Sequence, residues 1–176
     1  MLELKDFEAA ADRLKNVIHN IPLSTSCTFS AMTGAEVYLK YENQQKTGSF
    51  KVRGAYYKIS QLSPEESAKG VIACSAGNHA QGVAYAAHRF GIPATIVMPK
   101  TAPIAKAKAT EGYGATVVLA GDCYDDAYAK ACEICEQEHA TFLHPYNDPE
   151  VIAGQGTLGL EILGDLPTAD IVIVPA

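Results

Sequence analysis

Apolar positions along this chain follow two rhythms. Near the start, Leu4, Phe7, Ala11, Leu14 and Ile18 recur at steps of three and four, which predicts an amphipathic helix over residues 3–18. Pro22 marks the approach to a loop. A short strand is expected at 37–42, then a polar stretch at 43–48, then a helix over about 50–62. Ser63-Pro64-Glu65-Glu66 has the capping-box pattern with proline at the first helical position, so a short helical turn follows.

From residue 71 the pattern alternates. Short apolar runs predict strands at 71–74, 94–98, 116–119, 141–144 and 170–174. Amphipathic stretches between them predict helices at 78–90, 103–113, 122–138 and 149–163, with Gly91 as a C-cap. Strands that alternate with helices imply an α/β fold, with parallel pairing and right-handed crossovers. The near-continuous apolar character of the runs fits a sheet buried on both faces.

Composition narrows the function classes. A net charge of -6 without any basic run argues against nucleic acid as a partner. No apolar run reaches membrane-spanning length, so no membrane association is expected. The N-terminus, Met1-Leu2-Glu3-Leu4-Lys5-Asp6, is charged and unlike a signal peptide. Five cysteines, an odd number without a regular framework, fit reduced thiols and a cytoplasmic location.

Two segments carry candidate chemistry. Ser49-Phe50-Lys51-Val52-Arg53-Gly54-Ala55 puts a primary amine where a loop becomes a helix. The helix dipole and burial beside Phe50 both disfavour the ammonium form of Lys51. An unprotonated amine can condense with an aldehyde and later act as a general base. Val52 and Ala55 can pack, while Arg53 reaches solvent or an acid. The second segment, Ser75-Ala76-Gly77-Asn78-His79, follows the strand expected at 71–74. Ligands of open parallel sheets sit beyond the carboxyl ends of strands. Gly77 lets backbone approach a ligand, and a helix beginning near Asn78 offers free N–H groups to a carboxylate or phosphate. Asn78 could donate to a phenolate oxygen. Small residues at Ala80, Gly82, Ala84, Ala86 and Ala87 let this helix lie close to the sheet. Each segment alone has a plainer reading, as a surface lysine and as ordinary turn caps.

Other signals carry less. Gly154, Gly156 and Gly159 match a dinucleotide fingerprint, but no clear strand precedes them and the acidic residue is misplaced, so close packing is the better reading. Cys132, Cys135 and His139 have suggestive spacing but lack a second ligand pair, so no metal site is expected. His88, His139 and His144 read as packing or solvent residues. The lysines from 100 to 108 read as a solvated helix face, and Tyr146-Asn147-Asp148-Pro149 as a turn between domains.

The lysine segment and the Ser75–His79 loop, with Lys40-Tyr41-Glu42-Asn43 and Ala153-Gly154-Gln155-Gly156-Thr157, resemble the threonine and serine dehydratase group of fold-type II pyridoxal-phosphate enzymes. The resemblance runs over essentially the whole chain. It implies that Lys51 binds the cofactor aldehyde, Phe50 packs on its ring and Asn78 meets its ring hydroxyl. Ser75, Ala76, Gly77, Asn78 and His79 would shape the pocket for the substrate carboxylate. It implies a complete small α/β domain at 52–148, with 1–51 and 149–176 belonging to a larger cofactor domain. The family's Gly-rich phosphate loop would follow the strand ending at Pro175-Ala176, so this chain is expected to be the N-terminal part of a longer enzyme.

The implied reaction is β-elimination of L-threonine or L-serine to a 2-oxo acid and ammonia, by a homo-oligomer in the full-length form. Val52 after the lysine and the Asn78-His79 pair disfavour cysteine and threonine synthases. Serine racemases usually carry serine where this chain has Ala76, and a methyl group cannot deliver a proton, so elimination is favoured over racemisation. A truncated, non-catalytic binding domain is the reading from another class.

Overall fold

A computed structural model describes residues 1–174. The parallel sheet forms from the apolar runs as expected. Its strands are β3 (Val71–Cys74), β4 (Ala94–Met98), β5 (Thr116–Leu119) and β6 (Thr141–Phe142), in the order β5-β4-β3-β6, all parallel. Helices α5 (Asn78–Phe90), α6 (Ile104–Gly112) and α7 (Tyr124–Glu138) make the crossovers.

Side chains alternate across a strand, and the core divides accordingly. Val71 and Ala73 of β3, with Ile96 and Met98 of β4, pack on Ala80, Val83, Ala84 and Ala87 of α5. Ile72, Cys74 and Val97 point the other way and pack on Ala127 and Ala131 of α7.

Helix α3 (Lys51–Ser60) sits between α5 and α8 (Pro149–Asp165), and α1 (Leu4–Leu14) packs on α8. Glycines permit these close crossings. A β-carbon on Gly154 would lie 2.7 Å from the Arg53 carbonyl oxygen and 2.7 Å from Gly54 Cα. Gly154, Gly156 and Gly159 therefore stand inside α8, and Gly154 serves helix packing. Helix α4 (Pro64–Lys69) starts with the expected box: Ser63 Oγ accepts from the Glu66 N–H at 3.2 Å, and the Ser63 N–H donates to Glu66 Oε2 at 2.8 Å.

Several elements differ from the sequence expectation. The first helix stops at Leu14 because the chain turns through Asn16 at φ 64°, outside the helical region. A helix not anticipated, α2 (Cys27–Thr33), is capped by the Ser26 hydroxyl and ended by Gly34 at φ 73°. The strand expected at 37–42 shortens to β2 (Tyr38–Leu39), paired antiparallel with β1 (Ser24–Thr25). The strand expected at 170–174 is not formed. Ile171–Val174 have no ladder partner among the described residues and are exposed, Ile173 at 90%. An apolar run becomes a strand only when another strand satisfies its N–H and C=O groups. Pro175 and Ala176 lie outside the described residues.

Candidate active site

Lys51 is the first residue of α3, and Gly48, at φ 72°, turns the chain into that helix. A side chain at this left-handed position would be strained. Ser49 Oγ accepts from the Lys51 N–H at 3.3 Å. The Lys51 amine is half-buried rather than loose in solvent. Nζ donates to the Pro145 carbonyl at 3.1 Å, and it lies 5.4 Å from the Phe50 ring centre and 5.2 Å from that of Tyr146. Burial holds its pKa below the ordinary lysine value.

The loop after β3 is built by short local bonds. The Ser75 N–H donates to the Val97 carbonyl at 3.1 Å, continuing the ladder, and Ser75 Oγ accepts from the Gly77 N–H at 3.2 Å. Gly77 is the N-cap of α5. Ala76 packs against the core beneath. Asn78 is exposed at the start of the helix.

His79 is buried, and its Nε2 is 3.1 Å from the Leu143 carbonyl oxygen. A carbonyl only accepts, so Nε2 carries the proton and Nδ1 is left as a lone pair, without a hydrogen-bond partner among the described residues. Burial lowers the His79 pKa to about 4; the Leu143 bond opposes this, and the charges of Lys51 and His144 add to it.

One close approach joins the two segments. A β-carbon on Gly82 would lie 3.1 Å from the Lys51 carbonyl oxygen and 3.2 Å from the Val52 nitrogen. Helix α5 thus crosses α3 at the lysine itself. Asn78 stands one turn before Gly82, on the same side of the helix, and so comes to the edge of the cleft that Phe50 also lines. That cleft, about 540 Å³, is bordered by Gly48, Ser49, Phe50 and Asn78 on one side and by Leu158 and Ile162 of α8 on another. Its size suits a small molecule.

An aldehyde-bearing aromatic cofactor needs an amine without a carboxylate partner, a flat surface for its ring and a donor for its ring oxygen. Lys51 has no ion pair among the described residues. Phe50 offers the surface and Asn78 the amide, so the residues present could hold the aldehyde and ring of pyridoxal phosphate.

Two parts of the site were missed in the sequence. One is the Pro145–Tyr146 turn, read there only as an inter-domain connection, which covers the Lys51 amine. The other is Arg53. Of the two destinations expected for it, solvent or an acid, it takes the acid, and the crossing of α3 and α8 buries it fully. Arg53 Nη2 meets Glu42 Oε1 at 2.8 Å, and Nη1 meets Glu161 Oε1 at 2.6 Å and Thr157 Oγ1 at 3.2 Å. Lys40 adds a contact to Glu161 at 2.7 Å. Burial lowers the pKa of Arg53, but the bonds to Glu42 and Glu161 outweigh it and raise the value above the ordinary one. Burial likewise pushes Glu161 up, and the bonds from Arg53 and Lys40 overcome it, holding the carboxyl below its usual range.

Elsewhere, Cys135 Sγ donates to the Ala140 carbonyl at 3.0 Å. No cluster of three metal-ligating side chains occurs among the described residues, and no helix there is long and apolar enough to cross a membrane.

A family model described as "Pyridoxal-phosphate dependent enzyme" matches residues 14–176. The chain is 58% identical over 175 residues to an L-threonine ammonia-lyase of Thermotoga maritima, covering 99% of this chain and 44% of that protein. It is 51% identical over 172 residues to a catabolic L-threonine dehydratase of Escherichia coli, covering 98% and 52% respectively. Among solved structures, maize serine racemase superposes with a TM-score of 0.91 at 36% identity, covering 96% of this chain and 51% of that one. The processed threonine deaminase isoform 2 of Solanum lycopersicum gives 0.87 at 44% identity, covering 93% and 47%. The chain spans about half the length of the curated relatives it matches.

Proposed function

The chain belongs to the pyridoxal-phosphate dependent enzyme family, and from that premise we propose that it is the lysine-bearing part of an L-threonine or L-serine ammonia-lyase. The observation that carries this reading is the placement of the Lys51 amine. It is half-buried, free of any carboxylate among the described residues, and set at α5 through the Gly82 crossing. The names of the relatives support threonine as a substrate.

When bound, the cofactor supplies an electron sink for the charge left at the substrate Cα. The protein's own residues do the rest. Phe50 would pack on the ring, and the Asn78 amide would donate to the ring oxygen. The backbone N–H groups of Asn78 and His79 at the start of α5 would receive the substrate carboxylate beside the Gly77 turn, helped by the helix dipole. Ser75 and Ala76 shape the floor beside them. Lys51 would hold the cofactor aldehyde, and its free amine would take the substrate Cα proton. The β-hydroxyl departs as water, and hydrolysis of the resulting enamine gives the 2-oxo acid and ammonia.

Serine racemase is the second reading, favoured by the close superposition on the maize structure. The Ala76 methyl has no proton to deliver to the face opposite Lys51, which supports elimination instead. In this proposal residues 52–148 form the small domain, and 1–51 with 149–176 belong to the larger one. The whole enzyme works in the cytoplasm, consistent with five free cysteines, and associates as a homo-oligomer.

Incubation with pyridoxal phosphate, reduction with borohydride and peptide mapping test the assignment. A single modified lysine at Lys51, lost in Lys51→Ala, is expected. Modification spread evenly over exposed lysines overturns it.

A further inference from the structure

Lys100, Lys106 and Lys108 are all exposed, as a solvated helix face would be. They are not equivalent. A β-carbon on Gly77 would lie 3.9 Å from Lys106 Nζ, so this ammonium stands over the turn that joins β3 to α5. The backbone beneath it is firmly placed. Ala107, the next residue, packs with Ala102 against the core cluster that holds Ala80, Val83 and Ala84 of α5. Helix α6 therefore lies beside α5, and Lys106, in its first turn, reaches the loop beyond the carboxyl end of β3.

Local energetics do not explain a cation at that position. The first turn of a helix is the positive end of its dipole, which disfavours an ammonium. No carboxylate pairs with Lys106 among the described residues. Facing it is another positive end, the start of α5, where Gly77 supplies no capping side chain. An ammonium and an uncapped helix start thus share one spot, and an anion seated there would satisfy both.

We propose that Lys106 is a substrate-binding residue, its ammonium donating to the carboxylate of the amino acid seated at the start of α5. The inference rests on the ammonia-lyase reading and deepens it, because it adds a side-chain charge from α6 to a site otherwise made of backbone.

A carboxylate offers about four acceptor positions on two oxygens. The N–H groups of Asn78 and His79 can fill one side, which leaves the other for a charge-assisted hydrogen bond. A lysine suits this, with three donors on a flexible stem. The carboxylate keeps its charge throughout the elimination, so the ammonium holds substrate and transition state alike. Its effect belongs in KM and not in kcat. It also sets the substrate class: free amino acids are held better than their amides.

Two substitutions test the role in the holoenzyme. Lys106→Gln keeps hydrogen-bonding capacity and removes the charge; Lys106→Arg keeps the charge. Lys106→Gln should raise KM for L-threonine about tenfold, the size of one hydrogen bond to a charged group, with kcat within about twofold of the parent. Lys106→Arg should recover most of the loss. Binding without elimination gives a second readout, since L-alanine has the carboxylate but no β-hydroxyl, and L-alaninamide lacks the negative charge. Read from the cofactor absorbance, the dissociation constant of L-alanine should rise about tenfold in Lys106→Gln while that of L-alaninamide stays put. An unmoved KM in Lys106→Gln overturns the proposal. So does an equal weakening of L-alanine and L-alaninamide, which would mean general damage to the site. Weaker binding of pyridoxal phosphate with an unmoved KM also overturns it, giving the ammonium to the cofactor phosphate. The functional reading fails separately. A parent that shows no borohydride labelling at Lys51 and releases no 2-oxo acid removes that reading and the role of Lys106 with it, whereas a labelled, active parent with an unmoved KM in Lys106→Gln removes only the role of Lys106.

Discussion

Replacing Arg53 with methionine removes the centre of the charge network joining three parts of the chain. Arg53 is wholly inaccessible, and it bonds Glu42 through Nε at 2.9 Å and Nη2 at 2.8 Å, and Glu161 through Nη1 at 2.6 Å and Nη2 at 3.0 Å. Methionine fills much of the same volume, so the cost is chiefly electrostatic. Glu161 keeps Lys40 at 2.7 Å, but Glu42, also buried, loses the cation that both its oxygens face. Breaking a buried pair from one side costs about 3–5 kcal/mol, because the remaining charge is left in a poorly solvating interior. Set against a typical stability of about 5–15 kcal/mol, this is a large fraction. With a urea slope of roughly 2 kcal/mol/M, the unfolding midpoint should fall by about 1.5–2.5 M. The assay is urea unfolding followed by far-ultraviolet circular dichroism. The double variant Arg53→Met, Glu42→Gln, which removes the stranded charge, should recover much of the loss. A midpoint within about 0.5 M of the parent in Arg53→Met alone would refute the reasoning, since it would mean that the carboxylates find water or each other's protons at little cost.

Two further outcomes follow from the packing and from the buried histidine. Gly154→Ala puts a methyl 2.7 Å from the Arg53 carbonyl and Gly54 Cα, so α8 must move off α3; a loss of about 1–3 kcal/mol is expected, seen calorimetrically as a melting point lower by roughly 2–12 °C. Acidification tests His79, whose folded pKa of about 4 lies below its unfolded value. The unfolded chain binds the extra proton, so stability is lost as pH falls from about 6.5 towards 4, by up to about 3 kcal/mol. Glu161 adds its own loss only lower, as pH falls below the ordinary carboxylate range. A His79→Gln variant should show a flatter melting profile between pH 6.5 and 4.5; an unchanged slope there would show that His79 protonates as easily folded as unfolded.

The parallel sheet and its crossovers were legible from the chain because their signals are local. β3, β4 and β5 begin and end where the apolar runs do, and α5 begins at Asn78 and ends before Gly91, as capping chemistry dictates. The Ser63 box formed for the same reason. Lys51 and Asn78 could be singled out as chemistry, since a loop-to-helix amine and a strand-end turn are sequence features. Bringing their two helices together required Gly82, whose missing side chain is visible in the sequence but whose neighbour, the Lys51 carbonyl, is not.

Long-range partners were not legible. Arg53 reads as a cation bound for solvent or an acid, but its partners are fixed only when α8, about a hundred residues later, places Thr157 and Glu161 against it. The run at 170–174 has every local mark of a strand, yet strandhood depends on a neighbour's hydrogen bonds, and Ile171–Val174 have none among the described residues. Sequence by itself thus determined periodicity and caps and singled out Lys51 as the candidate amine, because these depend on adjacent residues and on side-chain chemistry. Tertiary structure alone decided what encloses that amine, through the Pro145 carbonyl and the Tyr146 ring, and which charges are buried together, because burial and electrostatic pairing are set by chain segments that meet only when the helices pack.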